Sequence, residues 1–171
     1  MHHLESLIRP IPDFPKPGIM YRDITPLLAN ASAMRQTVDE LVKPFSDTPI
    51  DMVAGMEARG FIFGALCAQA MEVGFVPLRK AGKLPYKTQK VSYELEYATN
   101  ELEVHIDALN HGHRVLLVDD LIATGGTAAA SCSLIERLGG TVVGCAFVIE
   151  LDALQGRAAL DGHLVHALMH F

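Results

Sequence analysis

Residues 115–127 read VLLVDDLIATGGT, and each part of that run has a chemical use. Four consecutive apolar residues are what a parallel strand buried on both faces requires. Such a strand delivers Asp119 and Asp120 to its carboxyl end, the edge at which open α/β sheets bind ligands. Ala123, Thr124, Gly125, Gly126 and Thr127 then make a turn directly ahead of a helix. Glycines there let successive backbone N–H groups converge on an anion, and the helix N-terminus adds its partial positive charge. The hydroxyls of Thr124 and Thr127 add donors for a monophosphate. Carboxylates facing that phosphate would repel it, so Asp119 and Asp120 are expected to face sugar hydroxyls or a bridging Mg²⁺. The run therefore predicts a site for a ribose 5-phosphate. A shorter match would be an ordinary strand-to-helix connection. Neither GxxxxGK[ST] nor a GxGxxG opening a helix after the first strand is present, which removes the two common nucleotide-phosphate motifs.

A second concentration of chemistry lies between Arg79 and Lys90 (RKAGKLPYKTQK), which holds five of the chain's 14 lysines and arginines and no acid. Standing alone, a basic run is solvated surface. With Gly82 and Pro85 inside it, the other reading is an anion site on a mobile loop. The chain as a whole carries 20 acids and a net charge of −6. That balance excludes a surface built as a duplex nucleic-acid footprint but not a local anion site. Arg59, which follows IDMVAG by a few residues, is expected at the same sheet edge as the aspartates. His163, His166 and His170 invite a metal reading, but a final strand puts 163 and 166 on opposite faces. All eight histidines read as structural or solvated. Cys67, Cys132 and Cys145 lack CxxC spacing and sit in apolar stretches, as reduced packing residues do.

The elements that must position these groups follow from periodicity. The opening to about Thr25 contains Pro10, Pro12, Pro15, Pro17 and Gly18 and reads as an ordered loop wrapping the domain. From Ser32 to Phe45 the apolar spacing predicts an amphipathic helix with Ser32 as its cap. A strand is expected over 50–55, a helix apolar on all sides over 60–71, and a strand over 75–78. Residues 92–97 and 101–106 alternate polar and apolar around Ala98-Thr99-Asn100, an antiparallel hairpin with one wet face. After the 115–118 strand come a helix over 126–138 closed by Gly139-Gly140, a strand over 141–149, a short helix over 153–160 and a strand over 164–169. Alternating strands and helices predict one α/β domain, 1–171, with a mainly parallel sheet. No apolar run reaches the ~20 residues that cross a bilayer, and MHHLESLIRP lacks the features of a signal peptide, so the expected compartment is the cytoplasm.

VLLVDDLIATGGT resembles the 5-phosphoribosyl 1-pyrophosphate motif of the type I phosphoribosyltransferases, which is four apolar residues, two acids and an apolar-rich stretch ending Thr-Gly-Gly-Thr. Five further blocks look like the adenine-using branch of that family: FPKPGIMYRDITPLL (14–28), EARGFIFG (57–64), RKAGKLPYKT (79–88), SYELEY (92–97) and FVIELDALQGRAAL (147–160). The resemblance implies the type I fold, a mainly parallel sheet flanked by helices with an N-terminal hood (1–30) and a flexible hairpin lid (about 80–106). It implies transfer of the phosphoribosyl group from 5-phosphoribosyl 1-pyrophosphate to N9 of adenine, giving AMP and pyrophosphate in purine salvage. Asp119 and Asp120 would take the ribose hydroxyls and Ala123 to Thr127 the 5-phosphate. Glu57, Ala58 and Arg59, with a non-proline cis peptide between Glu57 and Ala58, would receive the pyrophosphate together with Arg79, Lys80 and Lys83. Adenine would lie near Met20, Tyr21 and Arg22, with Leu121 packing on the ring. Arg59, Lys80, Glu96 and Tyr97 would be the catalytic set, Glu96 assisting the proton at N7 and Tyr97 covering the site. Mg²⁺ would be held chiefly by substrate oxygens and water. A homodimer is implied, with no nucleic-acid or membrane partner. A transferase for xanthine or hypoxanthine shares the ribose-phosphate site, and a ligand-sensing regulator on this fold would need a further module.

Overall fold

The hood is more regular than its prolines suggest. The structure, a computed structural model, describes residues 2–95 and 98–171. A short helix α1 (His2–Glu5) leads into an antiparallel ribbon of β1 (Arg9–Ile11) and β2 (Tyr21–Asp23), with Arg9 opposite Asp23. Pro10 is tolerated because a two-stranded ribbon leaves one side of each strand without ladder bonds. Across the ribbon, Arg9 Nη2 meets Asp23 Oδ2 at 2.7 Å. Helix α2 (Thr25–Leu28) carries Pro26 in its first turn, where a missing N–H costs nothing. Helix α3 (Ala31–Val42) is capped by Asn30, whose side chain accepts from Ala33 N at 3.0 Å. Ser32 therefore lies inside the first turn and is not the cap, and the helix passes into a 3-10 turn at Lys43–Phe45.

Strand β3 (Met52–Met56), helix α4 (Gly60–Ala70) and strand β4 (Gly74–Lys80) follow as strand, crossover helix and parallel strand. Strands β5 (Thr88–Leu95) and β6 (Ala98–His105) pair antiparallel from Thr88↔His105 to Leu95↔Ala98. Ala98-Thr99-Asn100, polar enough to read as a turn, is thus part of β6. Strand β7 (Arg114–Ile122), helix α5 (Gly126–Arg137) and strand β8 (Thr141–Glu150) complete the phosphate-turn unit. The expected helix over 153–160 is two 3-10 segments, Asp152–Leu154 and Gly156–Leu160. Gln155 separates them with a left-handed φ of 49°, which no α-helix can continue through. Strand β9 (Val165–His170) closes the sheet. His163 lies outside it, so its relation to His166 is not one of strand parity.

The seven strands run in the order β5-β6-β4-β3-β7-β8-β9. Pairs among β4, β3, β7, β8 and β9 are parallel, and the β5–β6 hairpin adds antiparallel through β4. The chain departs from β3 to one side and from β7 to the other, so the crevice between their carboxyl ends is the topological switch point. Side chains of one parity pack with α5 (Val115, Leu117, Leu134, Ile135) and those of the other with α3 and α4 (Leu116, Val118, Leu41, Phe63, Cys67). Val91, Leu102 and Val104 belong to the α5 side, so the hairpin is seated on the core by its base. Among the described residues, no helix is long and apolar enough to cross a membrane.

Candidate active site

Because β3 and β7 are adjacent, with Gly55 opposite Val118, the segments leaving their carboxyl ends meet over one cleft of about 460 Å³. That size suits a phosphorylated metabolite. Glu57, Ala58 and Arg59 line one side, Asp119, Asp120 and Leu121 the floor, and Ala123 to Thr127 the other side, with Lys80 at the rim. The peptide between Glu57 and Ala58 is cis. Met20, Tyr21, Arg22, Arg79 and Lys83 are not among the lining residues. Glu96 and Tyr97 lie outside the described residues.

The two aspartates differ in their partners. Asp120 is buried and its Oδ2 accepts from Arg59 Nε at 2.5 Å. Burial works against the Arg59 charge, but Asp120 outweighs it and holds the guanidinium firmly protonated. Asp119 Oδ1 accepts from the Asp120 N–H at 2.9 Å. Burial, and then the neighbouring Asp120 charge, push the Asp119 carboxyl well above the ordinary range. Helix α4 begins directly against it, since a Cβ at Gly60 would stand 2.5 Å from Asp119 Oδ1. Only glycine lets the helix start there.

Opposite, Gly125 takes a left-handed φ of 81° at the N-terminus of α5, and no side chain caps that end. Its first-turn N–H groups are left for an anion. Thr127 Oγ1 donates to the hydroxyl of Tyr93, 3.2 Å away, and Tyr93 and Asn100 bring the β5–β6 hairpin into the cleft wall. Neither residue stands out in the sequence, where the Tyr of SYELEY that draws notice is Tyr97.

The cations of the basic run are organised by two acids from elsewhere. Arg79 donates to Glu57 Oε1 and Oε2 at 3.2 and 3.3 Å and to the Lys83 carbonyl at 3.1 Å. Lys80 N–H reaches Glu57 Oε2 at 3.1 Å. Arg79 thereby holds the Glu57 carboxyl below its usual range. Glu103 is only 2% exposed, and its Oε1 accepts from Lys83 N–H at 2.8 Å and Leu84 N–H at 2.9 Å. Burial would raise this carboxyl, but those N–H groups, Gly82 and the Lys90 charge together lower it. In the alternating pattern Glu103 belongs to the wet face. No sequence signal singles it out, because the groups it accepts from are the backbone N–H groups of Lys83 and Leu84.

In the hood, Arg22 lies over the Phe171 ring at 4.1 Å, and Phe14 meets Tyr21 edge-on at 5.1 Å. Met20 is 46% exposed. Elsewhere, Glu150, Asp152 and His170 place ligand atoms within 4.8 Å of one another, but Glu150 is already engaged by Arg157 at 2.7 Å.

An uncapped helix N-terminus, two acids and an arginine converge at the switch point. Residues 25–167 match the family model described as the phosphoribosyl transferase domain, and the chain belongs to that family. Over its whole length it is 63% identical to the adenine phosphoribosyltransferase of Methylococcus capsulatus, with all 171 residues aligned and both chains fully covered. The crystal structure of adenine phosphoribosyltransferase from Thermoanaerobacter pseudethanolicus superposes with a TM-score of 0.96 at 49% identity, covering 99% of each chain. The Saccharomyces cerevisiae adenine phosphoribosyltransferase, solved with an imino-altritol bisphosphate and adenine, gives 0.93 at 40% identity, covering 98% of this chain and 97% of that one.

Proposed function

We propose that this chain transfers the 5-phosphoribosyl group of 5-phosphoribosyl 1-pyrophosphate to N9 of adenine, releasing AMP and pyrophosphate, as a purine-salvage enzyme. The observation that carries the site reading is the single cleft in which Asp119, Asp120, Arg59 and the uncapped turn at 123–127 converge. The adenine assignment is supported by the names of relatives aligned over the full length.

The 123–127 backbone N–H groups and the Thr124 and Thr127 hydroxyls hold the 5-phosphate, and Asp119 and Asp120 accept from the ribose hydroxyls. Arg59 exchanges its pairing with Asp120 for the pyrophosphate oxygens, and Lys80 approaches them from the rim. As the C1′–oxygen bond breaks, charge grows on the leaving pyrophosphate and an oxocarbenium-like centre forms. Adenine N9 attacks from the opposite face with inversion. No protein nucleophile is required, because alignment and charge stabilisation supply the rate. Adenine lies toward Met20, Tyr21 and Arg22, with Leu121 on its ring. A main-chain carbonyl there accepts from the 6-amino group and repels a 6-oxo purine. Glu96 assists the proton at N7, Tyr97 covers the site, and Arg79 and Lys83 extend the basic wall.

The acids of the cleft suit an ion held by substrate and water, since Asp120 is already shared with Arg59 and no cage of protein ligands lines the cleft among the described residues. Mg²⁺ bound with the substrate would be steadied through Asp119 and Asp120 and would neutralise charge on the pyrophosphate. The cytoplasm is the proposed compartment, consistent with three free, buried cysteines. A homodimer is the proposed assembly, supported by Ile62 and Leu66 on α4, 39% and 37% exposed.

Purified protein with Mg²⁺, 5-phosphoribosyl 1-pyrophosphate and labelled adenine should yield labelled AMP, with hypoxanthine and xanthine competing poorly. No AMP, or preferred use of a 6-oxo base, refutes the assignment.

A further inference from the structure

The block FVIELDALQGRAAL contributes no side chain to the cleft, yet it touches the phosphate turn at its most constrained point. A Cβ at Gly125 would collide with the Gly156 carbonyl oxygen and come within 2.8 Å of Ala159 Cβ. Conversely, a Cβ at Gly156 would collide with the Ala123 carbonyl oxygen and stand 2.8 Å from Ile122 Cγ1. Two backbones are therefore packed directly on each other, glycine against the turn from both sides. Both glycines are buried.

On its other side the turn is held by Thr127 Oγ1, which donates to the Tyr93 hydroxyl at 3.2 Å. Its residues are small, its N-terminus is uncapped, and Gly125 sits where other residues are strained. The 3-10 segment behind it is itself firmly rooted. Arg157 Nε donates to both carboxylate oxygens of Glu150, at 2.8 and 2.7 Å, and its Nη1 donates to the Val165 carbonyl at 2.8 Å. The Glu150 side chain is 6% exposed and stands at the end of β8, opposite Ile122 of β7. Leu151 N–H closes the circuit on the Ile122 carbonyl at 3.0 Å.

We propose that Gly156, held by the Arg157–Glu150 pair, is a positioning residue for the 5-phosphate: its backbone sets the conformation of residues 123–127 from outside the cleft. The inference rests on the phosphoribosyl reading of that turn. Because the neighbour of Gly156 is main chain, any added Cβ is relieved by moving the Ala123 carbonyl, which shifts the N–H groups beyond it. The effect should therefore fall on the phosphate end of the substrate and spare the base.

The test compares wild type with Gly156→Ala, Arg157→Met and Arg157→Lys. The readouts are ribose 5-phosphate affinity by calorimetry, KM for each substrate, and melting temperature. For Gly156→Ala, ribose 5-phosphate binding and KM for 5-phosphoribosyl 1-pyrophosphate should each weaken about tenfold or more, with KM for adenine within about twofold. Arg157→Met should move the same two constants about threefold, and Arg157→Lys should recover part of the loss. If Gly156→Ala does not fold, the two Arg157 variants decide. A lowered melting temperature with unchanged ribose 5-phosphate affinity, or a loss shared equally by adenine, overturns the inference. Wild type that binds ribose 5-phosphate but makes no AMP refutes the adenine reaction alone, and the calorimetric comparison still stands. Wild type that binds no ribose 5-phosphate overturns both.

Discussion

Arg59 and Asp120 form the tightest charged contact in the cleft, at 2.5 Å, and each is needed by a different part of the proposed substrate. Arg59→Ala should lower kcat/KM for 5-phosphoribosyl 1-pyrophosphate by about 10² to 10³, the scale of losing one preorganised donor to developing charge; steady-state assays at saturating adenine read it. Glu96→Gln should cost turnover about 10² to 10⁴ if that carboxylate moves the N7 proton, and unchanged kcat would remove the role. Asp23, beside the proposed adenine segment on β2, offers a pH test read through stability. Its carboxyl is lowered from 3.8 to about 2, first by the Thr25 hydroxyl and N–H and then by Arg9. A carboxyl depressed in the fold stabilises it fully above 3.8, and that contribution disappears as pH falls toward 2. Thr25→Val should thus melt lower than wild type at pH 5, and the gap should close on acidification. Asp119, Asp120 and the turn could be read in the sequence because their chemistry is contiguous. Glu103 could not, because the backbone it serves at Lys83 is twenty positions away.

At the scale of elements, the strands and long helices were legible because burial on a sheet leaves continuous apolar runs, whereas their ends depend on local hydrogen bonds. Asn30 takes the α3 cap that Ser32 was expected to fill, and β6 absorbs a tripeptide that looks like a turn. The same dependence on tertiary pairing makes the basic loop testable. It is tied to the sheet by one buried carboxylate, Glu103, accepting two backbone N–H groups. Glu103→Ala orphans both, and should cost about 1–3 kcal/mol in urea unfolding. Glu103→Gln keeps an acceptor and should cost less. Since Glu103 is lowered from 4.5 in the fold, its contribution is complete above that value and lost as pH falls through the folded one. The Glu103→Ala deficit should therefore shrink in acid, and a deficit that grows there would contradict the clamp.

For the whole molecule, the net charge of −6 describes a shell, while the site gathers Arg59, Lys80 and a helix N-terminus over a sheet filled on both faces. Two hydrophobic layers hold that sheet, one beneath α5 and the other beneath α3 and α4. Leu41 on α3 and Ile135 on α5 are both fully buried, one in each layer. A helix–sheet–helix sandwich separates them by about two layer spacings, or ~20 Å. If the sheet is stiff enough to keep the switch-point cleft in register, the layers should fail independently. Leu41→Ala should cost about 2–5 kcal/mol and Ile135→Val about 0.5–1.5, with the double variant within about 0.5 of their sum. The KM for 5-phosphoribosyl 1-pyrophosphate should stay at the wild-type value in each folded variant. A coupling energy well above that margin, or a KM that tracks stability, would mean that the layers communicate through the strands that carry Asp119 and Asp120.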